Sequence, residues 1–154
     1  MKQKNHVWLT VLPVAAAGLF FALFFLVLRP YVVLSGSMEP AIATGSVCLV
    51  NIRADYDEIR EGDIVAFRSS TGMPVTHRAL AVTEEGVETK GDANDVSDGI
   101  TVTQKNFIGE TVCAVPYLGY AVMFLKTRRG VILLVSIVAA VVSMMFLPAR
   151  RSRE

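Results

Sequence analysis

A serine hydroxyl becomes a useful nucleophile only when a base takes its proton, and histidine is the side chain best suited to take it near neutral pH. There are two histidines, His6 and His77. His6 follows Lys2 and Lys4 near the start, whereas His77 stands in the polar middle of the chain, in Thr76-His77-Arg78. It is the only side chain of that region whose ordinary pKa lies near neutrality. A serine candidate precedes it in Ser35-Gly36-Ser37-Met38-Glu39-Pro40. Gly36 permits tight turning and close backbone approach, and Pro40 fixes the exit of the segment. By local composition alone the segment reads as an ordinary turn, the commoner setting of a serine beside a glycine. A third segment, Lys90-Gly91-Asp92-Ala93-Asn94-Asp95-Val96-Ser97-Asp98, offers three carboxylates. These can hold a histidine tautomer, form Asx-turns or stay solvated. Asp92, Asn94 and Ser97 or Asp98 are also hard oxygen ligands. The closing glutamate and spacing of an EF-hand are missing, so no metal site is expected.

Serine, histidine and aspartate are the parts of nucleophilic acyl transfer. Histidine accepts the serine proton if a carboxylate holds its tautomer and stabilises the imidazolium. Backbone N–H groups, helped by a hydroxyl, stabilise the oxyanion; one such donor is typically worth about 2.7–4 kcal/mol. The order along the chain would be Ser, His, Asp, with Asp92 and Asp98 both open for the third role. No cofactor is called for.

The elements that must position these groups follow from the hydropathy pattern. Of the 154 residues, 53% are hydrophobic, and the apolar side chains concentrate near the two ends. Val7 to Leu28 is an uncharged run of 22 residues, enough for a membrane-spanning helix of about 20. A cleaved signal peptide competes, since Lys2 and Lys4 give a basic start and Ala15-Ala16-Ala17 resembles a small-residue cleavage site. The run continues eleven residues past Ala17, beyond the about 7–15 residues of a signal-peptide core, so a retained anchor is expected. Val131 to Leu147 is a second uncharged run of 17 residues, at the short end of the spanning range; an interfacial or partner-packed helix is the alternative.

Charge orients these runs. Between Pro30 and Arg128 there are 13 acidic and 8 basic side chains, while Lys2, Lys4, Arg150, Arg151 and Arg153 lie at the ends. The positive-inside rule then puts both tails in the cytoplasm and the middle outside. Lys126, Arg128 and Arg129 argue mildly against this. An acidic middle also excludes nucleic acid as a partner, because binding it means neutralising phosphates. Cys48 and Cys113 both fall in apolar, strand-like stretches; a disulfide is permitted outside a membrane, but two small buried thiols are the preferred reading.

Pro30 to about Tyr120 reads as β-rich. Tyr31–Leu34, Val47–Ile52, Asp63–Arg68, Val75–Val82, Val87–Lys90 and Phe107–Val115 are short β-prone runs set off by Gly, Pro, Asn and Asp. That rhythm suggests a small sandwich or barrel. Alternation puts Val75, His77 and Ala79 on one strand face and Thr76, Arg78 and Leu80 on the other. Residues 91–104 are polar and read as a long surface loop.

With these residues in view, the chain resembles the type I signal peptidases. Ser35 to Pro40 is similar to their S-x-S-M-x-P signature. His77-Arg78 resembles the second motif of the endoplasmic-reticulum, archaeal and sporulation-type branch, where histidine replaces lysine. Gly62-Asp63-Ile64-Val65 resembles the intervening G-D-I-V strand. Lys90-Gly91-Asp92 with Asn94 and Asp98 resembles the K-G-D-x-N motif and its following aspartate, and Val115-Pro116-Tyr117-Leu118-Gly119 the V-P-Y-x-G segment. Five motifs in order cover about Pro30 to Gly119.

The resemblance implies Ser37 as nucleophile, His77 as general base and Asp98 as the orienting carboxylate, with Asp92 as supporting or alternative acid. Ser35 and the backbone N–H of Ser37 would form the oxyanion hole. Ala93 stands where the family often has a first asparagine, and Ser97-Asp98 where it often has paired aspartates, which leaves the choice between Asp92 and Asp98 open. The implied fold is a mainly β catalytic domain with N-terminal and C-terminal transmembrane helices. The expected layout is a cytoplasmic tail at 1–6, helices at 7–28 and 130–148, an extracytoplasmic catalytic domain at 29–129 and a tail at 149–154. The implied activity is cleavage of signal peptides from secreted preproteins by a multi-pass protein of the cell membrane. Its partners would be the preprotein, the lipid bilayer and any accessory membrane subunits. A self-cleaving repressor-type protease shares the serine motif but predicts a DNA-binding domain and a lysine base. An anchored, inactive β module is the non-enzymatic alternative.

Overall fold

The computed structural model describes the backbone of residues 5–146 and the side chains of 11–144. The basic residues Lys2, Lys4, Arg150, Arg151 and Arg153 fall outside the described residues, and with them the two expected tails, apart from the backbone of residues 5 and 6.

A long helix, α1 (Asn5–Val27), leads without a linker into a seven-stranded antiparallel sheet. The strands are β1 (Leu28–Val32), β2 (Val47–Asn51), β3 (Ile64–Arg68), β4 (Pro74–Thr83), β5 (Gly86–Lys90), β6 (Thr101–Val102) and β7 (Phe107–Val115). Their spatial order is β1-β2-β7-β3-β4-β5-β6. Two helices follow, α2 (Leu118–Leu125) and α3 (Arg128–Phe146), bent by 87° between Leu118–Leu125 and Arg128–Met144.

The expected sandwich or barrel is therefore one continuous sheet with β1 and β6 at its ends. The run Ile64-Val65-Ala66-Phe67 explains how a single sheet makes a core. Its side chains alternate between two apolar clusters: Val65 and Phe67 join Ile59, Ala79, Val87 and Val102, whereas Ala66 joins Met38, Ile42, Cys48 and Val50. Val65, Ala66 and Phe67 are each 1% exposed, so β3 is buried on both faces. A strand in that position reads as an uninterrupted apolar run. Each large side chain so buried contributes about 1.5–3 kcal/mol.

Three element boundaries differ from expectation. The first strand begins at Leu28 instead of Tyr31, because Leu28 already pairs with Asn51 and Ile52 donates its N–H to the Val27 carbonyl at 3.0 Å. Pro30 is tolerated within it because β1 is an edge strand. Residues 91–104 are not wholly a surface loop: Thr101–Val102 pair with β5, and Val102 is fully buried. The stretch from Leu118 is helical, with Gly119 packed against the Gly45 carbonyl and the Tyr120 ring lying over Gly45, where no side chain would fit.

Among the described residues no single helix is long and apolar enough to cross a membrane; the bent pair α2–α3 passes that test only when its halves are taken together. The described side chains of α1, and those of α3 beyond Arg128 and Arg129 apart from two serines, are apolar and largely exposed. Leu12, Leu19, Phe20, Phe21, Leu23, Phe25 and Leu26 are all at least half exposed.

Candidate active site

Ser37 is presented by its neighbour. Beyond Val33, whose N–H still reaches the Ser46 carbonyl at 2.9 Å, the chain leaves the sheet and turns. Met38 plugs into the core beside Ile42, Cys48 and Val50 and is only 2% exposed. The Glu39 carboxylate accepts the Thr44 N–H at 3.2 Å and the Thr44 hydroxyl at 2.9 Å. These bonds to Thr44 hold the Glu39 carboxyl below its usual range. With Met38 driven inward and Glu39 tied down, the adjacent Ser37 faces outward at the surface.

His77 comes from β4. Alternation directs it, with Val75 and Ala79, toward the cluster containing Phe67, and its ring meets the Phe67 ring edge-on at 6.3 Å. The imidazole is 8% exposed. Its Nε2 lies 2.9 Å from Ser37 Oγ and its Nδ1 lies 2.6 Å from Asp98 Oδ2. An ionised carboxylate only accepts, so Nδ1–H donates to Asp98 and Nε2 is left to accept from the serine hydroxyl. Ser35 Oγ lies 3.3 Å from Ser37 Oγ and donates to it in this arrangement. No backbone bond engages the Ser37 N–H among the described residues.

Asp92 is drawn elsewhere. Arg78, on the opposite face of β4, donates Nε–H and Nη2–H to its two carboxylate oxygens at 2.8 and 2.6 Å, and Nη1–H to the Gly62 carbonyl at 2.8 Å. The hydrogen bonds from Arg78 hold the Asp92 carboxyl below the usual range, and the same pair raises the Arg78 guanidinium. The acidic segment therefore splits, with Asp98 on His77 and Asp92 on Arg78. It also reaches Ser37, because the Ala93 N–H donates to the Ser37 carbonyl at 2.9 Å.

A groove of about 410 Å³ opens beside these groups. It is lined by Tyr31 to Leu34, by Met73 to Thr76, and by Ser35, Ser37, Met38, Ile42 and His77. Both flanking strands have free edges there. Among the described residues β1 pairs only with β2, and Pro74–His77 pair only with β3, because the pairing of β4 with β5 begins at Arg78. The chemistry available is a proton relay from a serine hydroxyl to a carboxylate-held imidazole, next to an apolar slot with unpaired backbone.

Among the described residues no three His, Cys, Asp or Glu side chains are grouped to hold a metal ion. The cysteines are free, Cys48 buried and Cys113 exposed, so the expected pair of buried thiols is half right. Cys113 lies opposite Leu49, next to a bulge between Leu49 and Val50. Burial, aided by the nearby Cys113, pushes the Cys48 thiol up to about 11.

Sequence reasoning passed over Thr89 and the partner of Arg78. Thr89 is 1% exposed on β5, donates its hydroxyl to Asp98 Oδ2 at 2.8 Å, and accepts the Asp98 N–H on its carbonyl at 3.0 Å. The available signal was a hydroxyl on the strand face that also carries Val87.

Sequence kinship agrees with the geometry. Residues 4–112 match the family described as "Signal peptidase, peptidase S26", and the chain belongs to it. Its relatives include signal peptidase I W of Bacillus subtilis (strain 168), 41% identical over 78 residues, which are 48% of this chain and 41% of that one. The signal peptidase complex catalytic subunit SEC11 of Colletotrichum graminicola is 34% identical over 107 residues, 62% of each chain. The human catalytic subunit SEC11C is 36% identical over 109 residues, 62% of this chain and 56% of that one. The chain thus spans between 41% and 62% of the length of these relatives.

Proposed function

We propose that this protein is a membrane-bound serine endopeptidase that removes signal peptides from secreted preproteins. The single observation that carries the reading is the hydrogen-bond chain Ser37–His77–Asp98, at 2.9 and 2.6 Å. Family membership and the names of the relatives, which are signal peptidases, support the substrate class.

In this reading Ser37 Oγ attacks the scissile carbonyl carbon while its proton passes to His77 Nε2. Asp98 holds the imidazole and stabilises the imidazolium. The oxyanion is met by the Ser37 N–H and the Ser35 hydroxyl. As the C–N bond breaks, the leaving amine takes the proton from Nε2 and an acyl ester remains on Ser37. Water, deprotonated by His77, then releases the acid. An extended substrate strand would use the free edges of Tyr31–Leu34 and Pro74–His77, gaining backbone hydrogen bonds and placing alternate side chains in the groove.

The substrate emerges from a lipid phase, and two features favour a site held there. The apolar faces of α1 and α3 have nothing of this chain to cover them among the described residues, as expected of helices in lipid. Ser37 also follows the end of α1 by only a short strand and turn. The proposed layout has both helices in the cell membrane and the sheet outside. Accessory membrane subunits are compatible partners, as the name "signal peptidase complex catalytic subunit" indicates for the SEC11 relatives.

The test is cleavage of a preprotein by the full chain in lipid or detergent. Ser37→Ala and His77→Ala are each expected to lower kcat by about 10⁴-fold or more with folding intact. Full activity in either variant would exclude the mechanism.

A further inference from the structure

We infer that Thr89 is a positioning residue for this reaction, fixing the Asp98 carboxylate that orients His77; the inference rests on the protease reading above. Asp98 lies among the exposed residues Val96, Ser97 and Gly99, outside any strand. A carboxylate in such a stretch would ordinarily turn toward water, yet its side chain is only 12% exposed. Thr89 holds it at two points. The Thr89 carbonyl accepts the Asp98 N–H at 3.0 Å, and the Thr89 hydroxyl donates to Oδ2 at 2.8 Å. The same Oδ2 accepts His77 Nδ1–H at 2.6 Å. The carboxylate is thereby pinned from both sides of one oxygen, and the imidazole inherits that orientation.

The position is informative because valine would suit it better on burial alone. Thr89 pairs with Ala79 on the neighbouring strand and is 1% exposed. A buried hydroxyl is costly unless it is hydrogen-bonded. A β-branched side chain in a strand has restricted χ1, so its hydroxyl stays aimed. Thr89 is not among the residues lining the groove, and among the described residues its side chain bonds to Asp98 and not to Ser37, so its effect on the reaction runs through Asp98.

The experiment compares Thr89→Val, which keeps the shape, with Thr89→Ser, which keeps the hydroxyl, in the full chain in detergent with a preprotein substrate. Thr89→Val should lower kcat by about ten- to a hundredfold with KM nearly unchanged, as a misaligned base would. Thr89→Ser should recover most of the rate. The far-downfield proton resonance of the His77 Nδ1–H should shift or vanish in Thr89→Val and persist in Thr89→Ser. If Thr89→Val does not fold, Thr89→Ala against Thr89→Ser makes the same comparison. A Thr89→Val enzyme with parental kcat and an unshifted resonance overturns the inference, and so does a Thr89→Ser enzyme as slow as Thr89→Val. Ser37→Ala is run in parallel. If it cleaves as fast as the parent, the protease reading fails by itself, while the His77 resonance still decides whether Thr89 sets the Asp98–His77 pair.

Discussion

Asp92 and Asp98 belong to one short segment yet serve different partners, and the difference is measurable. Asp98 meets His77, whereas both oxygens of Asp92 are taken by Arg78. Under the proposed mechanism Asp98→Asn should lower kcat by about a thousandfold or more, by disturbing the imidazole tautomer. Asp92→Asn should cost about tenfold at most, through loosened positioning. The reverse ranking in a preprotein cleavage assay would move the third role to Asp92. Asp92 also bears on stability. Because Arg78 holds the Asp92 carboxyl below its unfolded value, the pair's contribution is present above the unfolded carboxylate pKa and is lost as pH falls through the lowered one. Arg78 is partly exposed, so Asp92→Asn should cost only about 1 kcal/mol at pH 7. In chemical denaturation that gap to the parent should close below about pH 4. The sequence pointed to His77 because it is the one histidine of the middle segment, and to Ser37, one of nine serines, only through the motif around it. It left the aspartates open because nothing in a polar loop states which carboxylate will fold back onto Thr89 and which onto Arg78.

At the scale of elements, the loop after β5 joins the two halves of the site. One end clasps Asp98 to Thr89, and the other presses on Ser37. A Cβ at Gly91 would stand 2.6 Å from the Ser37 carbonyl oxygen and 2.8 Å from Asn94 Nδ2. The first of these is backbone, so it cannot swing aside. Gly91→Ala should therefore push the loop away from Ser37, weaken the 2.9 Å bond from the Ala93 N–H, and lower kcat by about a hundredfold. Thermal unfolding should show a loss of about 1–3 kcal/mol, the usual cost of overpacking. A Gly91→Ala enzyme with parental activity and melting temperature would mean that this approach carries no weight. Strands punctuated by Gly, Pro and Asp, such as Val47–Asn51 and Phe107–Val115, were readable in the sequence. β6 was not, because two paired residues inside a polar run have no period to detect. α2 was missed for a related reason: eight apolar residues directly after a β-strand and a proline continue the look of a strand.

For the whole molecule, the proposed membrane placement raises the question of how a sheet with a serine at one edge would sit against lipid. Hydropathy located the two apolar runs, but it could not see that α1 passes directly into β1, or that α2 bends away from α3. Both joints couple helix to site. Leu28, the first residue after α1, is already paired in the strand whose continuation lines the groove, and Gly119 of α2 packs against the turn at Gly45 next to that strand. If α1 and α3 both lie in the membrane, the sheet is held from two sides, with Ser37 only a short strand and turn beyond the bilayer. Lys126, Arg128 and Arg129 lie exposed at the α2–α3 corner and would then face the outer headgroups, against the usual distribution of basic residues. The proposed topology is accordingly strict. In sealed vesicles of inside-in orientation, external protease should digest the sheet domain and leave tags on both termini protected. A C-terminal tag cleaved from outside would remove α3 from the membrane-spanning set and leave it as an interfacial helix. The corner arginines would then be ordinary surface charges, and α1 alone would set the height of Ser37 above the lipid.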